Sequence, residues 1–273
     1  MDNIFTLKDK VIVITGAAGL LGRMHAEAVA SNGGIPILLD INTKGLKDFC
    51  DTLNDKYQTK TEFIELDITD EIAVKNTSNN IFDDFSRIDG LINNAANNPS
   101  MESSRINYSR LENFPMEQWN KDINVGLTGA FLCSKYFGQK IANNKNGGSI
   151  INISSDLGLI APDQRLYREK DKPNDKQNVK PVTYSVVKTG IIGLTRYLST
   201  YWSDQGVRCN ALCPGGVENN QSDEFILKVS RKIPLGRLAK RDEYQGTIVW
   251  MLSDASSYLN GAVIPVDGGR TAW

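Results

Sequence analysis

Seven short runs of aliphatic, mostly β-branched residues recur along the chain with helical stretches between them, and this alternation restricts the fold more than any other feature. The runs are Val11–Thr15, Ile35–Leu39, Phe63–Leu66, Leu91–Ile92, Ser149–Ile153, Val207–Leu212 and Ala262–Val266. Between them Leu20–Ala30, Met116–Ile141 and Gly190–Trp202 carry apolar residues at helical spacing. Runs apolar at successive positions suit strands covered on both faces, and helices between strands imply right-handed crossovers. The expectation is a doubly wound (Rossmann) α/β fold with a mostly parallel sheet of about seven strands. No break in composition marks a linker, so residues 1–273 are read as a single domain.

The composition narrows the function classes. With 31 basic and 32 acidic residues the net charge is -1, which gives no basis for a nucleic-acid or membrane partner. Ile4-Phe5 is too short an apolar run for a signal peptide, and no segment approaches the ~20 apolar residues of a membrane span. A cytoplasmic protein is expected. Cys50, Cys133, Cys209 and Cys213 form no Cys-x-x-Cys pair, and His25 is the single histidine. That argues against a zinc site and against any Ser-His or Cys-His nucleophile system, so no metal is expected.

The first strand runs into Thr15-Gly16-Ala17-Ala18-Gly19-Leu20-Leu21-Gly22. Glycines between strand and helix let backbone approach a pyrophosphate at the helix N-terminus. Asp40 ends the second strand 24 residues after Gly16, where a carboxylate accepts hydrogen bonds from an adenosine ribose. The same carboxylate repels a 2′-phosphate. No Arg or Lys occupies positions 17, 18, 41 or 42 to neutralise one, and Lys44 is the nearest base. NAD is the expected cofactor.

Tyr184 and Lys188, four residues apart at the start of a helical stretch, share one helix face. A free phenol titrates near ~10, and bringing it to the neutral range takes about 4 kcal/mol of differential stabilisation. A nearby ammonium supplies stabilisation of that sign, and a tyrosine so tuned serves as general acid or base.

These motifs, taken in order, resemble those of the short-chain dehydrogenase/reductase family in its single-domain branch. The resemblance runs from Lys10 to Gly269 and includes Asp67-Ile68, Asn93-Asn94-Ala95-Ala96, Trp119 with Asn124, Ile153-Ser154-Ser155, Tyr184 with Lys188, Pro214-Gly215-Gly216-Val217 and Val266-Asp267-Gly268-Gly269. It implies Tyr184 as proton donor and acceptor, and Ser155 as the hydroxyl that polarises the substrate oxygen. Lys188 would bind the nicotinamide ribose and lower the tyrosine pKa. Asn124 would fix a helix irregularity and a water of the proton relay. Gly16, Gly19, Leu20, Leu21, Gly22 and Asp40 would hold the cofactor, with Asp67 and Ile68 at the adenine, Asn94, Ala95 and Ala96 at the inner ribose, and Pro214, Gly215 and Val217 at the carboxamide. A homodimer or homotetramer is implied, with the Met116–Ile141 and Thr183–Trp202 helices and the Ala262–Val266 strand as candidate interfaces.

Three features depart from the family pattern. The glycines fall at 16, 19 and 22, whereas the shorter branch has its middle glycine at the place of Leu20. Asn97–Pro115 is a long polar approach to the next helix. Ser155 and Tyr184 are 29 residues apart, and an inserted stretch at about 162–181, rich in Asp, Lys, Arg and Asn, is expected to be a substrate lid. The insertion, Arg196-Tyr197-Leu198 and the ending Asp267–Trp273 resemble the flagellin-modification and polysaccharide-biosynthesis oxidoreductases of nonulosonate (legionaminic-acid-type) pathways. The expected activity is NAD-dependent interconversion of a secondary alcohol and a ketone on a sugar intermediate. Two alternatives stand beside it: a sugar or sugar-nucleotide epimerase or dehydratase using bound NAD transiently, to which the glycine spacing lends slight support, and a non-catalytic NAD-binding protein.

Overall fold

In chain order the elements are β1 (Val11–Thr15), α1 (Leu20–Ser31), β2 (Ile35–Asp40), α2 (Leu46–Tyr57), β3 (Glu62–Glu65), α3 (Glu71–Phe85), β4 (Gly90–Asn93), α4 (Met116–Ile123), α5 (Gly129–Ala142), β5 (Gly148–Ile153), α6 (Val182–Tyr201), β6 (Val207–Pro214), α7 (Asp223–Ser230), α8 (Gln245–Leu252) and β7 (Val263–Val266). They come from a computed structural model that describes residues 3–97, 109–170 and 172–273. Most of the polar approach at Asn97–Pro115 lies outside the described residues.

The strands form one sheet in the order β3-β2-β1-β4-β5-β6-β7, and every pairing is parallel. Alternate residues of β1 supply two cores. Ile12 and Ile14 pack with α1, α2 and α8 on one face. Val11 and Val13 pack with α3, α5 and Leu198 of α6 on the other. Because both faces are covered, the strands read as unbroken apolar runs. The two edge strands depart from this: in β3 Glu62, Phe63 and Glu65 are exposed, and in β7 no residue is fully buried.

The chain winds outward in both directions from β1 and β4, which lie side by side. In such a sheet the crevice at the carboxyl ends, where the order reverses, is the place for a ligand. The expected helix at Met116–Ile141 is interrupted. Asn124–Thr128 is a π-helical turn between α4 and α5, in which Gly129 N–H reaches back to the Asn124 carbonyl. Apolar spacing does not register one extra residue in a hydrogen-bond ladder, and such insertions concentrate at functional sites.

Candidate active site

A cleft of about 1910 Å³ opens at the carboxyl ends of β1, β2, β4, β5 and β6. At one end stands the glycine turn. Gly16 has φ +64°, and a Cβ there would lie 2.7 Å from Ala95 Cα. Gly16, Gly19, Leu20 and Leu21 line the cleft at the start of α1. Leu20 takes the first helical position, preceded by Gly19 in extended backbone, so the unusual glycine spacing is accommodated without strain. Gly22 does not line the cleft, contrary to expectation. It is buried beneath the turn, where a Cβ would come within 2.3 Å of the Gly16 carbonyl oxygen, and it serves helix-to-turn packing.

Asp40 ties this turn to β2. Its Oδ2 accepts from Ala18 N–H at 2.9 Å and its Oδ1 from Asn42 N–H at 2.8 Å. Each carboxylate oxygen keeps a second acceptor position. Asp67, Ile68, Ala95 and Ala96 also line the cleft. Asp67 is exposed, with Oδ1 accepting from both the amide and hydroxyl of Thr69. The Asn94 amide group is turned toward the glycine turn, donating to the carbonyls of Thr15 and Gly16 at 3.0 Å each. The hydroxyl of Thr15, which sequence reasoning passed over, accepts from Asn94 N–H and Ala95 N–H. Together these bonds lock β4 to β1 at the switch point. Pro214, Gly215 and Val217 form the far lip. A dinucleotide fits this set: a glycine cradle that a side chain would fill, first-turn amides of a helix, and an acceptor at the second strand end.

The other half of the cleft gathers Asn124, Ser155, Tyr184 and Lys188. Lys188 docks α6 on β5 twice, its Nζ donating to the Ile153 carbonyl at 2.8 Å and its own carbonyl accepting from Ser154 Oγ at 2.7 Å. Ser155 Oγ donates to Asp156 Oδ1 at 2.8 Å and accepts from Leu157 N–H. Asn124 opens the π turn at the cleft wall, where the family resemblance places a helix irregularity.

The electrostatics differ from the expectation in one respect. Burial pushes the Tyr184 phenol up; a hydrogen bond with Ser155 works against that rise, and the charge of Asp156 adds to it. Lys188 is not among the causes of that shift; one of its ammonium donors goes to the Ile153 carbonyl, and it lies 5.9 Å from the ring centroid. Lys188 is itself lowered to about 8, by burial first and by repulsion from Lys180 second. Burial likewise brings Lys180 down to about 8.

The inserted stretch is built onto the rest of the fold. Leu166 packs with Val229, Ile233 and Leu238, and the rings of Tyr167 and Phe225 meet at 5.9 Å. Asp163 pairs with Arg165 and Lys232. Buried Gln177 bonds both the amide and the carbonyl of Glu169. The segment thereby places Tyr167, Arg168, Lys170, Asn178 and Lys180 on the cleft wall. Asp171 lies outside the described residues.

Three further residues were missed by sequence reasoning. Asp122, buried, accepts from Asn97 and Gln118 side chains and from the Thr183 hydroxyl. Asp156 and Arg270 form an ion pair next to Ser155. The four cysteines are free and buried, and His25, fully buried beside α1's inner face, is held neutral with a pKa lowered to about 4 by burial. Among the described residues no cluster of His, Cys, Asp and Glu could hold a metal, and no helix is long and apolar enough to cross a membrane.

Comparison with known proteins accords with this geometry. Residues 10–167 match the family described as short chain dehydrogenase, and residues 174–271 match the pattern described as enoyl-(acyl carrier protein) reductase. An uncharacterized oxidoreductase of Thermotoga maritima is 30% identical, over 96% of this chain and 98% of its own length. The post-translational flagellin modification protein A of Campylobacter coli is 29% identical, again over 96% and 98%. The crystal structure of an NAD+-bound xylitol dehydrogenase superposes with a TM-score of 0.83 at 24% identity, over 96% of this chain and 99% of that one. The sheet, the glycine turn and the matches along almost the whole length lead to one assignment: the chain belongs to the short-chain dehydrogenase/reductase family, oxidoreductases that use nicotinamide cofactors on small-molecule substrates.

Proposed function

We propose that the protein interconverts a secondary alcohol and a ketone with NAD(H), on a sugar-type substrate of surface-glycan or flagellin-glycan synthesis. The convergence of Ser155, Tyr184 and Lys188 at the ends of β5 and α6, facing the glycine turn, carries this reading. The nicotinamide supplies hydride exchange at the substrate carbon. Tyr184 exchanges the proton at the adjoining oxygen, giving it up when a ketone is reduced and taking it when an alcohol is oxidised. A phenol pushed up by burial is protonated at neutral pH and is suited to the donor role. Ser155 turns its hydroxyl from Asp156 to the substrate oxygen and polarises it. Asn124 marks the wall behind the relay, and Lys188 holds the ribose side of the site.

NAD rather than NADP is favoured by Asp40 and by the absence of a cation at Ala17, Ala18, Ile41 and Asn42. Arg23, the basic residue nearest the turn, donates to the Ala18 carbonyl and lies over the Phe49 ring at 4.8 Å. The charged and amide-bearing wall supplied by the insertion favours a polyhydroxylated substrate, since an apolar one would leave those groups desolvated and unpaired. The flagellin-modification name of the Campylobacter coli relative points the same way. Exposed Met116, Phe131, Val186 and Tyr197 on α4, α5 and α6 favour a homodimer or homotetramer, and light scattering that finds only monomer would remove that part. For the activity, the purified protein is incubated with NAD+ or NADP+ and a panel of sugar alcohols, and with the reduced cofactors and ketoses. Cofactor turnover on at least one polyol, faster with NAD(H), is expected. No net oxidation or reduction of cofactor with any member overturns the reading.

A further inference from the structure

Beside Ser155 lies a buried ion pair that the proton exchange does not use. The side chains of Asp156 and Arg270 are 4% and 10% exposed, and Oδ2 meets Nη1 at 3.0 Å. The other carboxylate oxygen is engaged elsewhere, accepting from Ser155 Oγ and from Leu157 N–H, both at 2.8 Å. One carboxylate thus fixes the Ser155 hydroxyl on one side and a guanidinium on the other. Arg270 follows β7 on a turn held by Asp267, whose carboxylate accepts from Gly269 N–H and Thr271 N–H.

The guanidinium carries five N–H donors in a planar fork, and Asp156 is the one ion-pair partner it has among the described residues. Arg270 lines the cleft, so its remaining donors have the substrate space before them. A guanidinium at the cleft wall, with donors only, is a ready partner for an acceptor on a bound molecule. Tyr167, from the insertion, closes the same corner, near enough to feel the charges of Arg270 and Asp156.

We propose that Arg270 reads a second oxygen of the substrate, on the carbon next to the one that exchanges hydride, and that Asp156 sets the guanidinium at a fixed offset from Ser155. The inference rests on the dehydrogenase reading above. The two oxygens of Asp156 hold the Ser155 hydroxyl and the Arg270 guanidinium, so the two groups are separated by one carboxylate. A group with donors alone demands an acceptor, and with Asp156 balancing its charge Arg270 serves a hydroxyl or keto oxygen without needing an anion. The substrate class is therefore vicinal diols and α-hydroxyketones, the groupings a sugar chain presents.

The test is kcat/KM on matched pairs, from butane-2,3-diol against butan-2-ol up to hexitols against counterparts lacking only the neighbouring hydroxyl. A third series, lactate against propan-2-ol, asks whether a carboxylate serves instead. The wild type is expected to favour the dioxygenated member by roughly 10–100-fold, the scale of a lost hydrogen bond to a charged group. In Arg270→Leu that ratio should fall toward one while NADH binding, followed by fluorescence, is unchanged; Arg270→Lys should keep part of it. Arg270→Gln gives the same comparison if Arg270→Leu does not fold. Equal kcat/KM within the diol pairs in the wild type, a preference confined to lactate, or a variant that lowers both members equally overturns the inference alone. Absence of turnover on every alcohol with either cofactor removes the dehydrogenase reading and this inference with it.

Discussion

The ammonium of Lys180 lies 3.8 Å from the centroid of the Tyr184 ring, closer than that of Lys188 at 5.9 Å. Pro181 stands between them as the residue before α6, so Lys180 approaches the ring from the inserted segment rather than along the helix. A cation over an aromatic face is attracted by the ring quadrupole. The family's tyrosine and lysine are thus joined here by a second lysine from the insertion.

Lys180 and Lys188 are both held near 8, below the ordinary lysine value, and Lys180 contributes to lowering Lys188. The sign follows from proton counting. Between about pH 8 and the ordinary value near ~10.4 the folded protein has lost protons that the unfolded chain keeps, so stability rises with pH across that window. Below it the burial penalty is present in full. Lys180→Met removes one contribution and relieves the other. Its denaturant-unfolding free energy should therefore climb less than the wild type's between about pH 7 and about pH 10, and the lysine-dependent limb of kcat/KM should move to higher pH. Parallel stability curves for the two proteins would refute this.

Tyr184→Phe removes the proposed proton donor and leaves the ring in place. A positioned general acid contributes roughly 10²–10⁴-fold, so kcat should fall by that order while the NADH dissociation constant stays close to wild type. Full activity in the variant would assign proton exchange to another group.

Much of the fold was readable because β1, β2, β5 and β6 are buried on both faces and written as unbroken apolar runs. α7 was not read from its sequence, although Ser222, whose hydroxyl accepts from Phe225 N–H, followed by Asp223 and Glu224 is a helix-start signal. The π turn at Asn124 was implied by family resemblance and by nothing in the spacing. That the glycine turn and Asp40 come together at one end of the cleft was legible, since a glycine turn and a strand-end carboxylate are local in sequence. Gly22 packs beneath the turn, and a glycine that packs and a glycine that binds look alike in a motif. The pairing of Asp156 with Arg270 was illegible. The two residues are distant in sequence and are brought together only when β5 and β7 flank β6 in the sheet.

Asp40 stiffens the glycine turn and lines the cleft, where the proposed reading has it accept from the adenosine ribose. Asp40→Ala removes the repulsion toward a 2′-phosphate along with the hydroxyl acceptors. The ratio of kcat/KM for NADH over NADPH should drop by roughly an order of magnitude, mostly through weaker NADH use. A wild-type enzyme that is already faster with NADPH would show that Asp40 does not set the preference.

Asp122 joins three segments that must agree for the site to form. Asn97 Nδ2 at 2.7 Å brings in the chain just past Ala96, Gln118 Nε2 at 2.6 Å the face of α4, and the Thr183 hydroxyl the first turn of α6 beside Tyr184. The carboxylate is 7% exposed, so donors left behind by its removal would not be rehydrated freely. Asp122→Ala should therefore cost about 2–4 kcal/mol in unfolding free energy, since a buried donor without an acceptor costs about 1–3 kcal/mol. Because the hub sets α6 relative to the end of β4, kcat should fall further than NADH affinity. A variant with wild-type kcat and a loss below about 1 kcal/mol would mean that packing alone holds the three segments together.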